Sequence, residues 1–218
     1  MFSLSEFHNT YETVTVPVVI DDLVLSFYKP ASIDRFINKD NPMDNFPMWA
    51  KVWEASAMLA SHLYHLQSNA RQTMLEIGCG LGMTGIAAAK AGHRVTMTEI
   101  NPDALDFARA NAHLNGCPDI PIASMDWNAP RLSGRFDYIF GSATVYKQTD
   151  IAGLERLFDR YLKPGGTIIL GERIQRTTHR LFERLQADYC IQVQKKNLRA
   201  EERTHHLVLF RLTRKSDA

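Results

Sequence analysis

The chain has 218 residues, of which 45% are hydrophobic and 22% are charged, with 25 Lys and Arg against 24 Asp and Glu. This composition excludes a disordered chain, a collagen and a small disulfide-stapled scaffold, and the length favours one domain. The balanced charge predicts neither a nucleic-acid partner nor an anionic membrane partner, because both are bound through clustered excess Lys and Arg.

The cysteines and the N-terminus bear on where the protein works. Cys79, Cys117 and Cys190 are far apart and form no C-x-x-C pair, which favours a reducing compartment. Residues 1–10 are polar and lack the basic start and apolar run of a signal peptide. No apolar stretch approaches the roughly 20 residues of a membrane span. We therefore expect a cytoplasmic protein, and we predict no metal site.

The N-terminal part is predicted to form a hairpin followed by a helix. Two β-branched runs in residues 12–28 flank Asp21 and Asp22, which predicts a β-hairpin with a short acidic turn. A loop is predicted over 31–47 from its proline and asparagine content. Apolar residues at three- and four-residue steps then predict a helix from about residue 48 to residue 66.

After this helix, short apolar strands alternate with amphipathic helices. The alternation predicts right-handed βαβ units and a mostly parallel, doubly wound sheet, an α/β fold of the Rossmann-like kind. The predicted elements are strands at 73–77, 95–98, 120–123, 136–140 and 167–170, and helices at 84–91, 102–115 and 150–162 and around 180–185. The last strands, 190–193 and 207–212, are expected to form an antiparallel edge hairpin around a charged loop. We expect one domain, with 1–70 as the N-terminal hairpin and helix and 71–218 as the core.

The most informative segment is the glycine-rich stretch at 75–85, between a predicted strand and a predicted helix. Its glycines fit G-x-G-x-G, but Met83 replaces the third glycine of the dinucleotide fingerprint, and no Gly-Lys-Ser/Thr follows as in a phosphate loop. Glu76 lies two residues before the first glycine, where it would repel a pyrophosphate and attract an ammonium group. A glycine-rich turn of this kind lets the backbone approach a ligand closely. S-adenosylmethionine is a nucleotide-like ligand that carries an ammonium group and no phosphate.

Two further carboxylates follow the next strands at the same expected edge of the sheet. Glu99 ends the second strand, about 20 residues on, where a carboxylate accepts hydrogen bonds from ribose hydroxyls. Asp126 beside Trp127 follows the third strand, where it can accept from an adenine amino group. Taken singly, the glycine turn, Glu99 and Asp126 are equally consistent with ordinary turn and capping residues. Together and in this order, they favour S-adenosylmethionine binding.

At these segments the chain resembles the class I methyltransferases, and within them the family 16 protein-lysine methyltransferases and their bacterial relatives. The segment at 75–85, L-E-I-G-C-G-L-G-M-T-G, is similar to that group's first motif, and V-W-E-A-S-A-M-L-A at 52–60 is similar to its upstream helix. M-D-W-N at 125–128 matches its adenine-site segment, and 136–146 matches the strand and loop before its D-x-x-Y motif. The resemblance implies that S-adenosylmethionine, with S-adenosylhomocysteine as product, contacts Trp53, Glu76, Gly78, Cys79, Gly80, Gly82, Glu99, Ile100, Asp126, Trp127 and Ser142. For Trp53 the alternative is core packing.

The sequence departs from the family at Ala143, which stands where the family has the aspartate of D-x-x-Y. The tyrosine is retained as Tyr146, and Glu172 follows the fifth strand at the same edge, so these two are the candidate catalytic residues. Each also has an ordinary interpretation, a loop aromatic that shields the core for Tyr146 and an ion pair with Arg173 or Arg176 for Glu172. Lysine methylation needs a neutral amine, against a free pKa of about 10.4, so the missing carboxylate leaves the acceptor open.

Three functions are consistent with the sequence. The first is a methyltransferase that modifies a protein side chain, a lysine-like amine. The second is a small-molecule N- or O-methyltransferase, which the absent aspartate makes more credible. The third is a protein that binds the cofactor without catalysis or recruits other proteins. Methyl transfer from a sulfonium is an in-line displacement, so the protein contributes orientation, desolvation and, where needed, deprotonation of the acceptor.

Overall fold

The computed structural model describes residues 2–41, 46–144, 148–200 and 203–215, which form two β-sheets with helices packed against them. The helices are α1 (Leu4–Thr10), α2 (Glu54–Tyr64), α3 (Met83–Lys90), α4 (Pro102–Leu114), α5 (Ile151–Tyr161) and α6 (Arg176–Leu185). The strands are β1 (Thr13–Ile20), β2 (Leu23–Pro30), β3 (Thr73–Ile77), β4 (Arg94–Glu99), β5 (Ile122–Ser124), β6 (Phe136–Ser142), β7 (Leu162–Arg173), β8 (Tyr189–Ala200) and β9 (Arg203–Arg214).

The larger sheet has seven strands in the order β5-β4-β3-β6-β7-β9-β8. The first five in this order run parallel, whereas β9 is antiparallel to β7 and β8 is antiparallel to β9. This confirms the predicted Rossmann-like α/β fold with an antiparallel hairpin at one edge. The strand order reverses between β3 and β6, and ligands of such sheets bind in the crevice at the carboxyl ends of the strands at this point. We call this side of the sheet the C-terminal edge.

Helices cover both faces of this sheet and form two apolar cores. On one face α2, α3 and α4 bury residues that include Leu59, Ile86 and Phe107. On the other face α5 and α6 bury residues that include Phe158 and Leu181. Full burial of one such side chain stabilises the fold by about 1.5–3 kcal/mol, so the two cores supply most of the driving force. No helix within the described residues has the length and apolar character needed to cross a membrane.

The predicted N-terminal hairpin is confirmed as a two-stranded sheet of β1 and β2, with Asp21 at the turn in the left-handed region (φ 54°). Asn111 of α4 fastens it to the core. The fully buried Asn111 side chain accepts a hydrogen bond from Tyr28 N (2.7 Å) and donates to Tyr28 O (3.1 Å) and Leu81 O (3.0 Å). One amide therefore connects β2, α4 and the glycine-rich loop, while the expectation of a single domain stays a prediction.

The start of the predicted helix at residue 48 was wrong. Residues Met48–Ala50 form a separate 3-10 turn, and α2 begins at Glu54, with the extended Trp53 as its N-cap residue. Trp49 belongs to a different packing group, because its ring contacts Phe36 (5.0 Å between centroids) and Phe107 (5.3 Å). Trp49 fits the three- and four-residue spacing of apolar residues that predicted the helix, although it does not belong to the apolar face of α2.

The charged loop predicted between the last two strands was also wrong in extent. Strands β8 and β9 continue to Ala200 and from Arg203, so most of that segment is paired backbone. The side chains of Gln194, Lys195, Lys196, Asn197, Thr204 and His206 are exposed and polar, so no alternation of apolar residues marks these parts of the strands. The short helix α1 likewise escaped the sequence analysis, since Phe7 is its one fully buried residue.

We predict that Asn111→Ala lowers the free energy of unfolding by about 2–4 kcal/mol, because it removes three hydrogen bonds and leaves Leu81 O buried, and the backbone groups of Tyr28 partly buried, without this partner. Urea unfolding followed by circular dichroism measures this. Asn115→Ala is the matched control: Asn115 makes the same kind of clamp with Ser26 but is only half-buried. An Asn111 variant no less stable than the Asn115 variant would contradict the clamp.

Candidate active site

The glycine-rich loop after β3 adopts a backbone that only glycine holds without strain. Gly78, Gly80 and Gly82 have φ values of 63°, 53° and 88°. At Gly80 a Cβ atom would lie 3.3 Å from the carbonyl oxygen of Trp49, so the loop also packs closely against the N-terminal segment. Gly82 N donates to Cys79 O (2.8 Å) and closes the turn. At these three glycines, which have no side chains, the loop therefore presents its backbone at the C-terminal edge.

Glu76 lies beneath this loop and is almost completely buried, with 1% of its surface exposed. Burial raises the pKa of Glu76 well above its ordinary value; a hydrogen bond from the backbone of Gly85 opposes this rise in pKa, and the nearby Glu99 carboxylate adds to it. Its Oε2 atom has no hydrogen-bond partner among the described residues, and it lies where a Cβ of Gly85 would stand (2.3 Å). A carboxyl group in this state favours positive charge nearby.

Cys79 sits within the loop as a buried filler. Burial raises the pKa of the Cys79 thiol well above its ordinary value, and the carboxylates of Glu76 and Glu99 add to this rise. A thiol with a raised pKa is a poor nucleophile, because the thiolate is the reactive form. The structure therefore agrees with the sequence interpretation that Cys79 contributes backbone and volume.

Glu99 ties the end of β4 to the glycine loop. Its Oε2 accepts from Gly80 N (3.0 Å), and its Oε1 accepts from Ile100 N (2.8 Å) and Asn101 N (3.1 Å). Only 9% of Glu99 is exposed, whereas the neighbouring Ile100 is 58% exposed. An exposed apolar side chain beside a fixed carboxylate at this edge suits a ligand with a flat apolar ring and hydroxyl groups.

Trp127 borders the same loop from the segment after β5. A Cβ at Gly78 would lie 3.6 Å from the Trp127 ring and 3.4 Å from the Thr144 methyl group. Asp126 accepts from Asn128 N (2.8 Å) and so shapes the turn that carries Trp127. The C-terminal edge thus brings together the predicted glycines, Glu99 and Trp127, while their contact with a ligand stays a prediction.

The ends of β6 and β7 form the other half of the site. Ser142 Oγ lies 2.7 Å from Ser56 Oγ of α2, and Ala143, with φ 49°, donates from its N–H to Gly171 O (2.8 Å). Glu172 is 1% exposed, and its Oε1 accepts from Thr144 N (2.9 Å) and Thr144 Oγ1 (3.1 Å). Glu172 therefore anchors the residue that precedes 145–147. Tyr146 lies outside the described residues.

Trp53 is placed differently from the expectation of a tryptophan within a helix. As the N-cap residue of α2 it donates from Nε1 to Met48 O (2.8 Å), and Lys51 Nζ lies 4.8 Å from the centre of its ring. On the N-terminal side, Trp49 approaches the glycine loop at Gly80 through its backbone. Sequence reasoning missed this contact, for which no side-chain pattern exists. It also missed the bond between Ser56 and Ser142, although a serine on the apolar face of α2 was a usable signal.

Metal ligands show no grouping in the described parts of the chain. Three or more His, Cys, Asp or Glu residues that could share an ion do not come together there. All three cysteines are free, with Cys79 buried and Cys190 exposed. The expectation of no metal stays a prediction.

The chain is similar to known methyltransferases. A family model described as lysine methyltransferase matches residues 40–188. The similar curated proteins include the histone-arginine methyltransferase METTL23 of Xenopus laevis, 31% identical over 106 residues, which are 45% of this chain and 45% of that protein. They also include EEF1A lysine methyltransferase 3 of Mus musculus, 29% identical over 58% of this chain and 56% of that protein. The chain therefore spans about half the length of these relatives.

Solved structures show the same fold. The precorrin-6y C5,15-methyltransferase of Geobacter metallireducens GS-15 has a TM-score of 0.60 at 20% identity, covering 73% of this chain and 87% of that chain. TYW2 of Pyrococcus horikoshii, in complex with MeSAdo, has a TM-score of 0.59 at 17% identity, covering 94% and 73%. At these identities the likeness is one of fold alone.

We predict that Glu76 makes the stability of the protein fall as the pH rises above the carboxyl pKa of the unfolded chain. The folded state holds the Glu76 proton more tightly because its pKa is raised, so it binds more protons than the unfolded state in that range. Glu76→Gln removes this titration, and its stability relative to wild type should increase with pH by at most about 1.4 kcal/mol per unit.

Urea unfolding between pH 4 and pH 8 measures the difference. Ile86→Val is the control, since it changes a buried side chain that carries no titrating group and should shift the free energy of unfolding equally at each pH. If the difference in free energy of unfolding between Glu76→Gln and wild type did not change with pH, the carboxyl group of Glu76 would titrate normally in the folded state.

Proposed function

The chain belongs to this lysine methyltransferase family, whose model matches more than half of it, and from that premise we propose that it transfers the methyl group of S-adenosylmethionine to a basic side chain of another protein. One observation carries the proposal. The left-handed glycine loop, fixed by Glu99 and underlain by Glu76, forms an edge where backbone and two carboxylates meet. This edge suits a ligand with cationic groups and a ribose, and it disfavours a polyphosphate.

The residues present fit the cofactor. The buried Glu76 Oε2, which lacks a partner within the described residues, favours the ammonium group, and Glu99 stands at the end of β4, where a carboxylate takes ribose hydroxyls. The residues proposed to hold the cofactor are Trp53, Glu76, Gly78, Cys79, Gly80, Gly82, Glu99, Ile100, Asp126, Trp127 and Ser142. When bound, S-adenosylmethionine supplies an electrophilic methyl group, and S-adenosylhomocysteine is the product.

The protein's own part in the reaction is orientation and exclusion of water. Trp49 closes the glycine loop from one side, and the paired hydroxyls of Ser56 and Ser142 join α2 to the end of β6. Tyr146 and Glu172 remain the candidate catalytic residues. The hydrogen bonds from Thr144 favour a role for Glu172 in positioning the segment that carries Tyr146, which would then orient the acceptor.

A basic side chain is the acceptor that the relatives support, because they are named for lysine and for arginine methylation. Ala143 adds a structural point. Its φ of 49° lies in the left-handed region, which Asp tolerates better than Ala, so the backbone still suits the family's aspartate. The second candidate, a small-molecule N- or O-methyltransferase, is favoured by that missing carboxylate. We further propose a cytoplasmic location, which the free cysteines support.

We predict that the purified protein with methyl-labelled S-adenosylmethionine and a heat-treated cell extract places label on protein, and that mass spectrometry finds it on lysine or arginine nitrogen. Wild-type protein without extract and extract without enzyme are the controls. Label found only in small molecules would support the second candidate instead. Cofactor binding without any transfer would favour a binding protein that lacks catalysis.

We predict that Gly80→Ala weakens S-adenosylhomocysteine binding by about 10-fold or more, because its Cβ would press on Trp49 O and displace the loop backbone. Gly134→Ala is the matched control: Gly134 also has a positive φ (82°) but a Cβ there meets nothing within 4 Å. Both variants should lose about 1–2 kcal/mol of stability from the left-handed backbone. Calorimetry should show normal binding for Gly134→Ala. Equal binding by both variants would contradict the proposed loop contact.

A further inference from the structure

An apolar groove of about 600 Å³ lies beside α6 on the larger sheet, outside the proposed cofactor site. Its apolar lining comes from β8, β9, α6 and the residue after β7, namely Ile174, Phe182, Ile191, Val193, Val208 and Phe210. Val193 is 55% exposed and Ile174 is 54% exposed. Phe182 and Phe210 stack with 3.7 Å between ring centres and form the floor. Exposed apolar surface in a concave site marks a place for a partner.

Strand β8 forms one wall of the groove and is the edge of the sheet. Within the described part of the chain β8 pairs only with β9, so the other side of its backbone forms no hydrogen-bond ladder with a neighbouring strand. An edge of this kind accepts an extended segment as an added strand. Side chains alternate along a strand, so Val193 and Lys195 point to the groove face while Gln194 and Lys196 point to the other face.

The segment that forms most of this groove carries an excess of positive charge. Residues 173–200 contain seven Lys and Arg against two Asp and Glu, although the whole chain is balanced. Lys195 and His179 line the groove, with Glu183 as the acidic residue of the lining. Lys195 and Lys196 are both exposed. The groove therefore combines an apolar floor with a basic strand edge, which complements a segment that is apolar on one face and acidic on the other.

The groove begins at the C-terminal edge. Ile174, in its lining, directly follows Arg173, the last residue of β7. Arg173 donates to Nδ1 of His205 (2.7 Å), and His205 Nε2 lies 3.8 Å from the Glu54 carboxylate at the start of α2. A segment bound in the groove would thus run toward the ends of β6 and β7, where the acceptor is proposed to enter.

We propose that this groove and the free edge of β8 bind an extended segment of a partner protein in which apolar residues alternate with Asp or Glu. The identification of that partner as the methyl acceptor rests on the proposed function; the binding itself does not. A protein segment fits better than RNA, because Phe210 is buried and the groove is lined by one lysine, Lys195, against one acidic residue, Glu183, which is little positive charge for a phosphate backbone.

The probe is a fluorescein-labelled heptapeptide that alternates Asp with Leu and Phe, and binding is followed by fluorescence anisotropy without cofactor. We expect saturable binding. The Val193→Asp variant should weaken binding about 10-fold or more, because it puts a negative charge into the apolar lining and repels the acidic peptide. Lys195→Glu should weaken it about 3- to 10-fold. Val24→Asp and Lys90→Glu make the same changes at exposed positions elsewhere and should alter binding less than about 2-fold.

Three results would overturn the proposal. They are no binding at about 1 mM peptide, equal binding of a peptide with Lys in place of Asp, and binding of single-stranded oligouridylate that depends on Val193 and Lys195. The Val193→Thr variant, which keeps the β-branched shape, guards against loss of fold and should bind nearly as wild type. Calorimetry with S-adenosylhomocysteine separates this test from the proposed function. Failure of wild-type protein to bind it would contradict the cofactor site while leaving the groove result intact.

Discussion

The hydrogen bonds of the Glu99 carboxylate hold the functional edge of this protein together. One side chain accepts from Gly80, Ile100 and Asn101, so it fixes the end of β4 and the loop after β3 relative to each other. Hydrogen bonds to an ionised group are stronger than neutral ones, and this carboxylate is mostly shielded from water. The loop is therefore already in its left-handed shape before a ligand arrives, and binding need not supply the cost of ordering it. Asn111 completes the arrangement from the opposite side, where it bonds Leu81 of the same loop.

This order comes with an electrostatic cost. Glu76 and Glu99 lie near the ends of adjacent strands, and burial, together with the nearby Glu99 carboxylate, raises the pKa of Glu76. Folding alone gains nothing from the Glu76 carboxyl group, because its buried Oε2 atom has no partner in the described residues and is therefore destabilising. Such local conflict is concentrated at functional sites, where a ligand relieves it. A cation beside the loop would favour both carboxylates, which is the physical reason why the site suits a ligand with an ammonium and a sulfonium group.

The parts of the structure that could be predicted from sequence are those fixed by local patterns. The alternation of apolar strands and helices predicted the parallel sheet, and the glycines at 78, 80 and 82 correctly marked the loop after β3. The start of α2 could not be predicted in this way, because the packing of Trp49 on Phe107 is a contact between distant residues. The same holds for the bond between Ser56 and Ser142, and for Glu172, whose partner Thr144 is 28 residues away. The ends of β8 and β9 were missed for another reason, since a polar edge ladder has no apolar alternation to read.

The two halves of the site differ in how they are built, and this explains why sequence motifs identify one half better than the other. The cofactor half consists of backbone in a shape that only a few residue types permit, so its residues are restricted wherever the shape is needed. The proposed acceptor half consists of side chains at the ends of β6, β7 and β9, where the left-handed backbone of Ala143 (φ 49°) would also suit an aspartate. Residues on such ends can vary while the scaffold stays constant. We therefore expect the choice of acceptor to depend on side chains at these strand ends, such as Arg173 at the end of β7 and its partner His205 of β9, more than on the glycine loop.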